Sequence, residues 1–286
     1  YFFEFISVVS LFFIFKIIGL RNSSFLGSML GVTIGPFFRS KEVTKENIKI
    51  GLGEIGKKRE KEIINGMWSN IGRNFAEYMF LKNFKINENS FDNIKINGKN
   101  YLDDIKKNNE TVIFFSAHLA NFELMALVLN NLNMKFATVY RPLNNFFLNP
   151  LMEYLRLKYI CPIQIPKGIK GMREIIVKFN DGYSIALLVD QRLSEGPRIS
   201  FFNEPAHTTT IPAQLALKYN CKLVPLSIER KETVNFEMIV HEPFEIKKTE
   251  NNDQDIKNVT LKINKILEEM IIKSPKQWIW SHNRWK

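Results

Sequence analysis

The stretch TVIFFSAHLANFELMALVLNNL, residues 111–132, changes its hydrophobic period in mid-course. Its first seven residues form a continuous apolar run closed by small residues, the pattern of a strand buried on both faces. From 121 to 132 the apolar positions recur at helical spacing. A buried strand that feeds directly into a helix is the building unit of a layered α/β fold. The alternation continues downstream. KFATVY (135–140) reads as a strand and residues 147–158 as a helix, while YSIALLVD (183–190) and CKLVPLSIE (221–229) read as two further buried strands. Between those two, IPAQLALKY (211–219) reads as a helix, preceded by Thr208, Thr209 and Thr210, each able to supply a capping hydroxyl. NFEMIVHEPFEI (235–246) is strand-like, and 253–273 carries Val259, Ile263, Ile266, Leu267 and Met270 on one helical face. Upstream, 57–83 does the same with Ile64, Met67, Trp68, Ile71, Phe75, Tyr78 and Met79. The pattern predicts an α/β fold with a mixed, mostly parallel central sheet flanked by helices. No repeat, low-complexity tract or Pro/Ser/Gly linker divides the chain. Residues 36–286 are therefore expected to form a single α/β domain behind an N-terminal segment, 1–35.

The 286 residues are 45% hydrophobic and include 24 Phe, enough for a sizeable core, which excludes a disordered or fibrous chain. Forty Lys and Arg against 29 Asp and Glu leave a formal charge of +11. Such an excess calls for an anionic partner: nucleic acid, an acidic protein or a lipid headgroup. Cys161 and Cys221 stand far apart beside apolar stretches, outside any CxxC pair or His cluster. They read as buried free thiols, which excludes a disulfide framework and a structural zinc.

Residues 1–20, YFFEFISVVSLFFIFKIIGL, are apolar except for Glu4, Ser7, Ser10 and Lys16. The longest charge-free run, 5–15, falls short of the roughly 20 residues of a clean membrane span. No small-residue cleavage site follows, so a secretory signal fits poorly. From 16 to 61 there are ten Lys/Arg and four Glu. An aromatic and aliphatic segment followed by a basic flank reads as a membrane anchor or membrane-associated helix, its basic side on the cytoplasmic face. The other reading is a buried first helix.

The chemistry concentrates in SAHLANFE, 116–123, where His118 follows a buried strand and Glu123 lies five residues on. On one continuous helix two such residues point about 140° apart and do not meet. They meet if His118 occupies the strand-to-helix turn, Asn121 caps the helix and Glu123 sits in its first turn. The carboxylate then holds one imidazole nitrogen while the other faces a pocket as a general base. The free N–H groups of the helix start are available to an oxyanion. By spacing alone, a structural histidine closing a strand is the stronger reading.

A wider set of segments resembles a known family. His118 and Glu123 match the His-x-x-x-x-Asp/Glu signature of glycerolipid-type acyltransferases. SAHLANFE (116–123), VYRPLNN (139–145), LLVDQR (187–192), FFNEPAHTTTIPAQLALKYNCKLVP (201–225) and QWIWSHNRWK (277–286) together resemble the late acyltransferases of lipid A biosynthesis in Gram-negative bacteria. The resemblance implies a glycerolipid acyltransferase-like fold and transfer of a fatty acyl group from an acyl carrier protein or coenzyme A thioester. The acceptor it implies is the hydroxyl of a 3-hydroxyacyl chain on a lipid A precursor. It implies His118 as general base and Glu123 as its orienting carboxylate, direct transfer without an acyl-enzyme, and no metal or cofactor. Arg141 and Arg156 become candidates for sugar phosphates or carboxylates, which a guanidinium engages bidentately. Leu157-Lys158-Tyr159-Ile160 stands where family members often carry a Gly, and Asn203 replaces the Gly of the family's Phe-Phe-Gly. Asp190 and Gln191, at the end of a buried strand, are implied to border the pocket, with Arg192 supporting an anionic headgroup and Arg284 contacting substrate. His207 reads as a solvated loop residue.

Trp278, Trp280 and Trp285 beside His282, Arg284 and Lys286 suit a membrane interface, stacking on single-stranded nucleic acid, or core tryptophans with a solvated tail. The expected partners are the thioester donor, the phosphorylated glycolipid acceptor and membrane lipid at the cytoplasmic face of the inner membrane, with no nucleic acid. An acyltransferase acting on another lysolipid or glycolipid is the neighbouring reading. A basic nucleic-acid-binding protein or a non-catalytic membrane scaffold are the readings from other classes.

Overall fold

The computed structural model describes residues 1–84, 86–87, 90–91 and 93–286. A kinked helix, α1 (Phe2–Ile34), leads through a 3-10 turn into α2 (Lys41–Leu52) and α3 (Lys57–Glu77). The helical run expected over 57–83 tightens at its end, where Tyr78–Phe84 forms a 3-10 helix. A short antiparallel pair, β1 (Ile86–Asn87) with β2 (Ser90–Phe91), precedes β3 (Ile94–Asn97) and α4 (Lys99–Lys107). The alternating part then runs β4 (Ile113–Ser116), α5 (Glu123–Asn131), β5 (Phe136–Tyr140), α6 (Asn149–Tyr159), β6 (Gln164–Pro166), α7 (Ile169–Asn180) and β7 (Ser184–Leu188). A two-stranded ribbon, β8 (Arg198–Phe201) with β9 (Glu204–His207), interrupts it before α8 (Ile211–Tyr219), β10 (Leu223–Glu232), β11 (Asn235–Val240) and α9 (Asn252–Lys273).

Seven strands form one mixed sheet in the order β3-β11-β10-β4-β7-β5-β6. Only β10 and β11 pair antiparallel; every other neighbouring pair is parallel. The expected mostly parallel sheet flanked by helices is the architecture observed. Successive residues of β4 point to opposite faces. Phe115 therefore packs in the layer that contains Ala213 of α8 and Ile263 and Leu267 of α9, while Phe114 packs in the layer of α4, α5 and α6 with Leu102, Leu127 and Leu155. Both rings are buried, which explains the uninterrupted apolar run of the strand.

The register decides where chemistry can occur. β4 and β7 are adjacent and parallel, with Ser116 paired to Leu188. Residues two past each pairing, His118 and Asp190, leave the sheet side by side at its carboxyl edge. Arg141 follows β5 at the same edge. The chain departs from β4 in both directions, to β5 on one side of the sheet and later back to β10 on the other. Ligands of open α/β sheets bind at such a reversal.

One local expectation is corrected, and another is met in position but not in bonding. Asn121 does not cap α5, which starts at Glu123 with Phe122 at the cap position, because the Asn121 amide is drawn to the buried carboxylate of Glu77 at 2.9 Å. For α8, Thr210 occupies the cap position but its hydroxyl accepts from the Gln214 side chain, and the Thr209 hydroxyl receives the Ile211 N–H. Cys161 is buried and Cys221 half-buried, both as free thiols.

The N-terminal helix lies along the body of the protein. Its kink is at Gly19, whose φ of 80° lies in the region that glycine tolerates. Before the kink, Phe12 and Phe15 are buried against Phe75 of α3. After it, Gly27 and Gly31 let α1 approach Gly72 of α3 so closely that a Cβ on Gly72 would overlap the Gly27 carbonyl. The Ser24 hydroxyl also donates to Glu77 at 2.7 Å. Phe3, Phe13 and Ile17 point away from the body, as do Phe25, Phe37 and Phe38. Gly72→Val is expected to push α1 off α3 and leave the second half of α1 open to protease in detergent, with wild-type protein resistant under the same digestion.

Candidate active site

The elements above bring His118 and Asp190 into contact. His118 Nδ1 lies 2.7 Å from Asp190 Oδ1, and the His118 backbone N–H donates to Asp190 Oδ2 at 3.1 Å. The same Oδ2 accepts from the Trp278 indole at 2.7 Å. Asp190 is only 2% exposed, so water does not compete for it. Burial pushes its pKa up, but the adjacent imidazole and the three donors more than offset this and hold it at about 2. An ionised carboxylate on Nδ1 places the ring proton there and leaves Nε2 as the basic atom. The ring of Phe122 stands edge-on to the imidazole at 4.8 Å and limits its rotation.

The carboxylate on His118 is therefore Asp190, and the expected contact with Glu123 is corrected. Glu123 does sit in the first turn of α5, but its side chain turns toward α3 and α6. Its Oε1 accepts from Arg156 Nη2 at 2.6 Å, Arg156 Nε at 3.1 Å and the Tyr78 hydroxyl at 3.0 Å. These three donors turn the Glu123 carboxylate away from the imidazole, whose Nδ1 is engaged by Asp190. Burial and the neighbouring Glu123 keep the Tyr78 hydroxyl protonated and thus a donor.

The loop between β4 and α5 is clamped from below. Ala120 adopts a φ of 45°, a strained value for a residue with a Cβ. Its carbonyl accepts from Asn70 and Asn74, and its N–H donates to the Gln277 carbonyl at 3.1 Å. With Asn121 bound to Glu77, the loop hangs on α3 and on the C-terminal segment.

A cavity of about 410 Å³ opens beside His118. Its inner wall is apolar: Phe114, Met125, Leu129, Ile160 and Leu226 contribute, all five of them buried in the core. Its outer part carries Arg141, Lys167, Gln191 and Arg192, of which Arg141 and Lys167 are exposed. Glu123 and Arg156 form part of the wall. Such a site, charged outside and apolar within, fits an amphiphile whose head is anionic and whose tail enters the fold.

The remaining predicted residues divide by placement. Gln191 and Arg192 line the cavity, as expected for substrate contacts, whereas Asp190 lies behind His118 and has no surface to offer a ligand. Arg156 is turned to Glu123, with two of its nitrogens engaged there, so it is less available to a phosphate than Arg141. Arg284 is corrected outright. It is wholly buried, donates to the His207 carbonyl and the Thr208 hydroxyl, and stacks on Phe201 at 4.6 Å, so it braces the β8–β9 ribbon and has no surface to offer a substrate. His207 is half-buried, its Nδ1 2.7 Å from the Gly196 carbonyl, which replaces the solvated loop residue expected. Trp278 and Trp280 are core residues, and Trp285 donates to the Phe201 carbonyl. The sequence reading missed Trp278 as a partner of the Asp190 carboxylate; its place in an aromatic tail carried no sign of that contact. Among the described residues no three His, Cys, Asp or Glu side chains converge on a metal-sized site.

A buried Asp–His pair at the strand ends of an α/β sheet, opening on an apolar cavity with a cationic rim, defines a site suited to an amphiphilic ligand. The model of the bacterial lipid A biosynthesis acyltransferases matches residues 1–286, and the chain belongs to that family, acyltransferases of lipopolysaccharide assembly. A lipid A biosynthesis palmitoleoyltransferase of Escherichia coli (strain K12) is 22% identical over 270 residues, 92% of this chain and 84% of that protein. A lipid A biosynthesis acyltransferase of Shigella flexneri aligns with the same figures. A lipid A biosynthesis lauroyltransferase of Escherichia coli (strain K12) is 26% identical over 195 residues, 66% of this chain and 60% of that protein.

Trp278→Phe keeps the aromatic volume but removes one donor from a buried carboxylate. The expected loss is about 1.5–3 kcal/mol of folding stability, the worth of a hydrogen bond to a charged group. Denaturant unfolding checks it, and a loss under about 0.5 kcal/mol would mean that the indole does not hold Asp190.

Proposed function

We propose that the protein moves a fatty acyl group from a thioester, carried by acyl carrier protein or coenzyme A, to the hydroxyl of a 3-hydroxyacyl chain on a lipid A precursor. The observation that carries this reading is the joining of an Asp190-tied His118 to a cavity that is apolar within and cationic at its rim. The thioester's acyl tail would occupy the wall of Met125, Leu129 and Ile160, where burial of each methylene gains about 0.8 kcal/mol. The acceptor's phosphates would meet Arg141, Lys167 and Arg192.

In this reading Nε2 of His118 takes the proton of the acceptor hydroxyl as its oxygen attacks the thioester carbon. Asp190 stabilises the imidazolium that results, and the imidazolium returns the proton to the departing thiolate. Both substrates occupy one site, so direct transfer needs no covalent enzyme intermediate. The cysteines support this division of labour: burial raises the pKa of Cys161, and that of Cys221 to about 12, so neither is a ready thiolate. Glu123 acts at one remove, fixing Arg156 and Tyr78 as a rigid part of the cavity wall.

The surface supports a site of action on the inner membrane, at its cytoplasmic face. The helical segment Phe2–Phe37 is long and apolar enough to cross a membrane, and little of it is buried in the protein. Phe146 and Phe147 extend its apolar face by packing on Tyr1, Phe2 and Phe5. The basic flank at 16–61 suits anionic lipid headgroups.

The test incubates the full chain in detergent with acyl carrier protein thioesters of mixed length and the Kdo-bearing lipid A precursor, and reads product mass. Wild type is expected to add the mass of one acyl group. His118→Ala should fall by at least about 10³-fold while folding is retained. Glu123→Gln should fall less than His118→Ala, because it loosens Arg156 without touching the base. Turnover on a different lysolipid, with none on the precursor, would overturn the acceptor assignment.

A further inference from the structure

The cavity holds two histidines, and their surroundings place the ring proton on opposite nitrogens. His118 commits Nδ1 to Asp190 and presents Nε2 as a lone pair. His282, from the C-terminal segment, lines the same cavity but has no carboxylate on its ring. Its Nδ1 is sealed from solvent and has no hydrogen-bond partner among the described residues. An N–H buried without an acceptor costs more than a lone pair buried without a donor, since unpaired buried donors are the rarer of the two. The proton of His282 therefore belongs on Nε2, which is not sealed in this way. The ring stays neutral: burial lowers its pKa to about 4, helped by His118, Arg284 and Arg39 and opposed by Asp190, whose oxygens are engaged with His118 and Trp278. Its backbone is pinned from α2, where the Asn47 amide donates to the His282 carbonyl at 2.7 Å.

We propose that His282 is a catalytic residue of this enzyme, a neutral hydrogen-bond donor whose Nε2–H polarises the thioester carbonyl and holds the negative charge that develops on its oxygen. The assignment rests on the acyl-transfer reading above. As His118 removes the acceptor proton, the new C–O bond forms and the carbonyl electron pair moves onto oxygen, where His282 receives it. The pair returns as the C–S bond breaks, and the thiolate leaves with the proton from His118. One histidine thus accepts a proton while the other lends a hydrogen bond and keeps its own. A preformed donor in a water-poor site is a large contribution to such a step.

Two measurements on the full chain in detergent test it. In the transfer assay, His282→Ala is expected to lower kcat by about 10²–10³-fold with KM changed less than about twofold, the signature of a donor used only in the transition state. His282→Gln, which keeps an N–H near the Nε2 position, is expected to recover at least about tenfold of that loss, which separates donation from simple packing. Nitrogen-15 spectra of histidine-labelled protein at neutral pH should show His282 neutral and protonated on Nε2, and His118 protonated on Nδ1. An unchanged kcat, a loss confined to KM, or a His282 ring that is charged or carries its proton on Nδ1 would each overturn the proposal. Absence of any transfer by wild type would instead sink the acyl-transfer reading, and the spectra would still decide the tautomer of His282.

Discussion

The contact between His118 and Asp190 is the constraint around which the rest of the structure is arranged. A carboxylate with 2% exposure is costly to bury unless every lone pair facing the protein is used. Here the imidazole, a backbone N–H and the Trp278 indole use them. The pairing of β4 with β7 brings the histidine and the aspartate together. The C-terminal segment then has to fold back across the sheet edge so that Trp278 can reach the carboxylate. The same segment delivers the Gln277 carbonyl to the strained Ala120 and places His282 on the cavity. An end of the chain that might have been a loose tail is thereby the floor of the site.

The charge excess divides along similar lines. Arg230 is spent internally on the buried carboxylate of Glu77, and Arg284 on backbone and hydroxyl oxygens. Arg156 is spent on Glu123. Arg141, Lys167 and Arg192, by contrast, stand at the rim of the cavity beside His118. Glu77 ties two regions together. It accepts from Ser24 on α1, Asn121 three residues past His118 and Arg230 on β10, so the apolar N-terminal helix and the β4–α5 loop share one buried carboxylate.

How much of this was legible in the sequence depended on whether a feature was local. The buried strands announced themselves as unbroken apolar runs, because both their faces are covered; YSIALLVD and CKLVPLSIE became β7 and β10 within a few residues. His118 was legible because a histidine just after a buried strand, with Glu123 at the signature spacing, stood within a set of ordered segments. The partner of His118 was not. Glu123 is near in sequence, while Asp190 is near only through the pairing of β4 with β7, a contact across 72 residues that no spacing reveals. Arg284 shows another limit: the resemblance implied a substrate contact, yet the residue is buried, with an aromatic ring and two oxygen acceptors making its burial tolerable. The small strands β3 and β6 and the β8–β9 ribbon went unread because, unlike the equally short but wholly buried β4, their three or four residues are only partly apolar and buried.

The central claim is that Asp190 acts through His118. A double-mutant cycle in kcat with His118→Ala and Asp190→Asn tests it most directly, since groups that work as one unit lose their effects together. The account predicts that the double variant is no slower than His118→Ala alone. Losses that multiply, or an Asp190→Asn enzyme as fast as wild type, would contradict it.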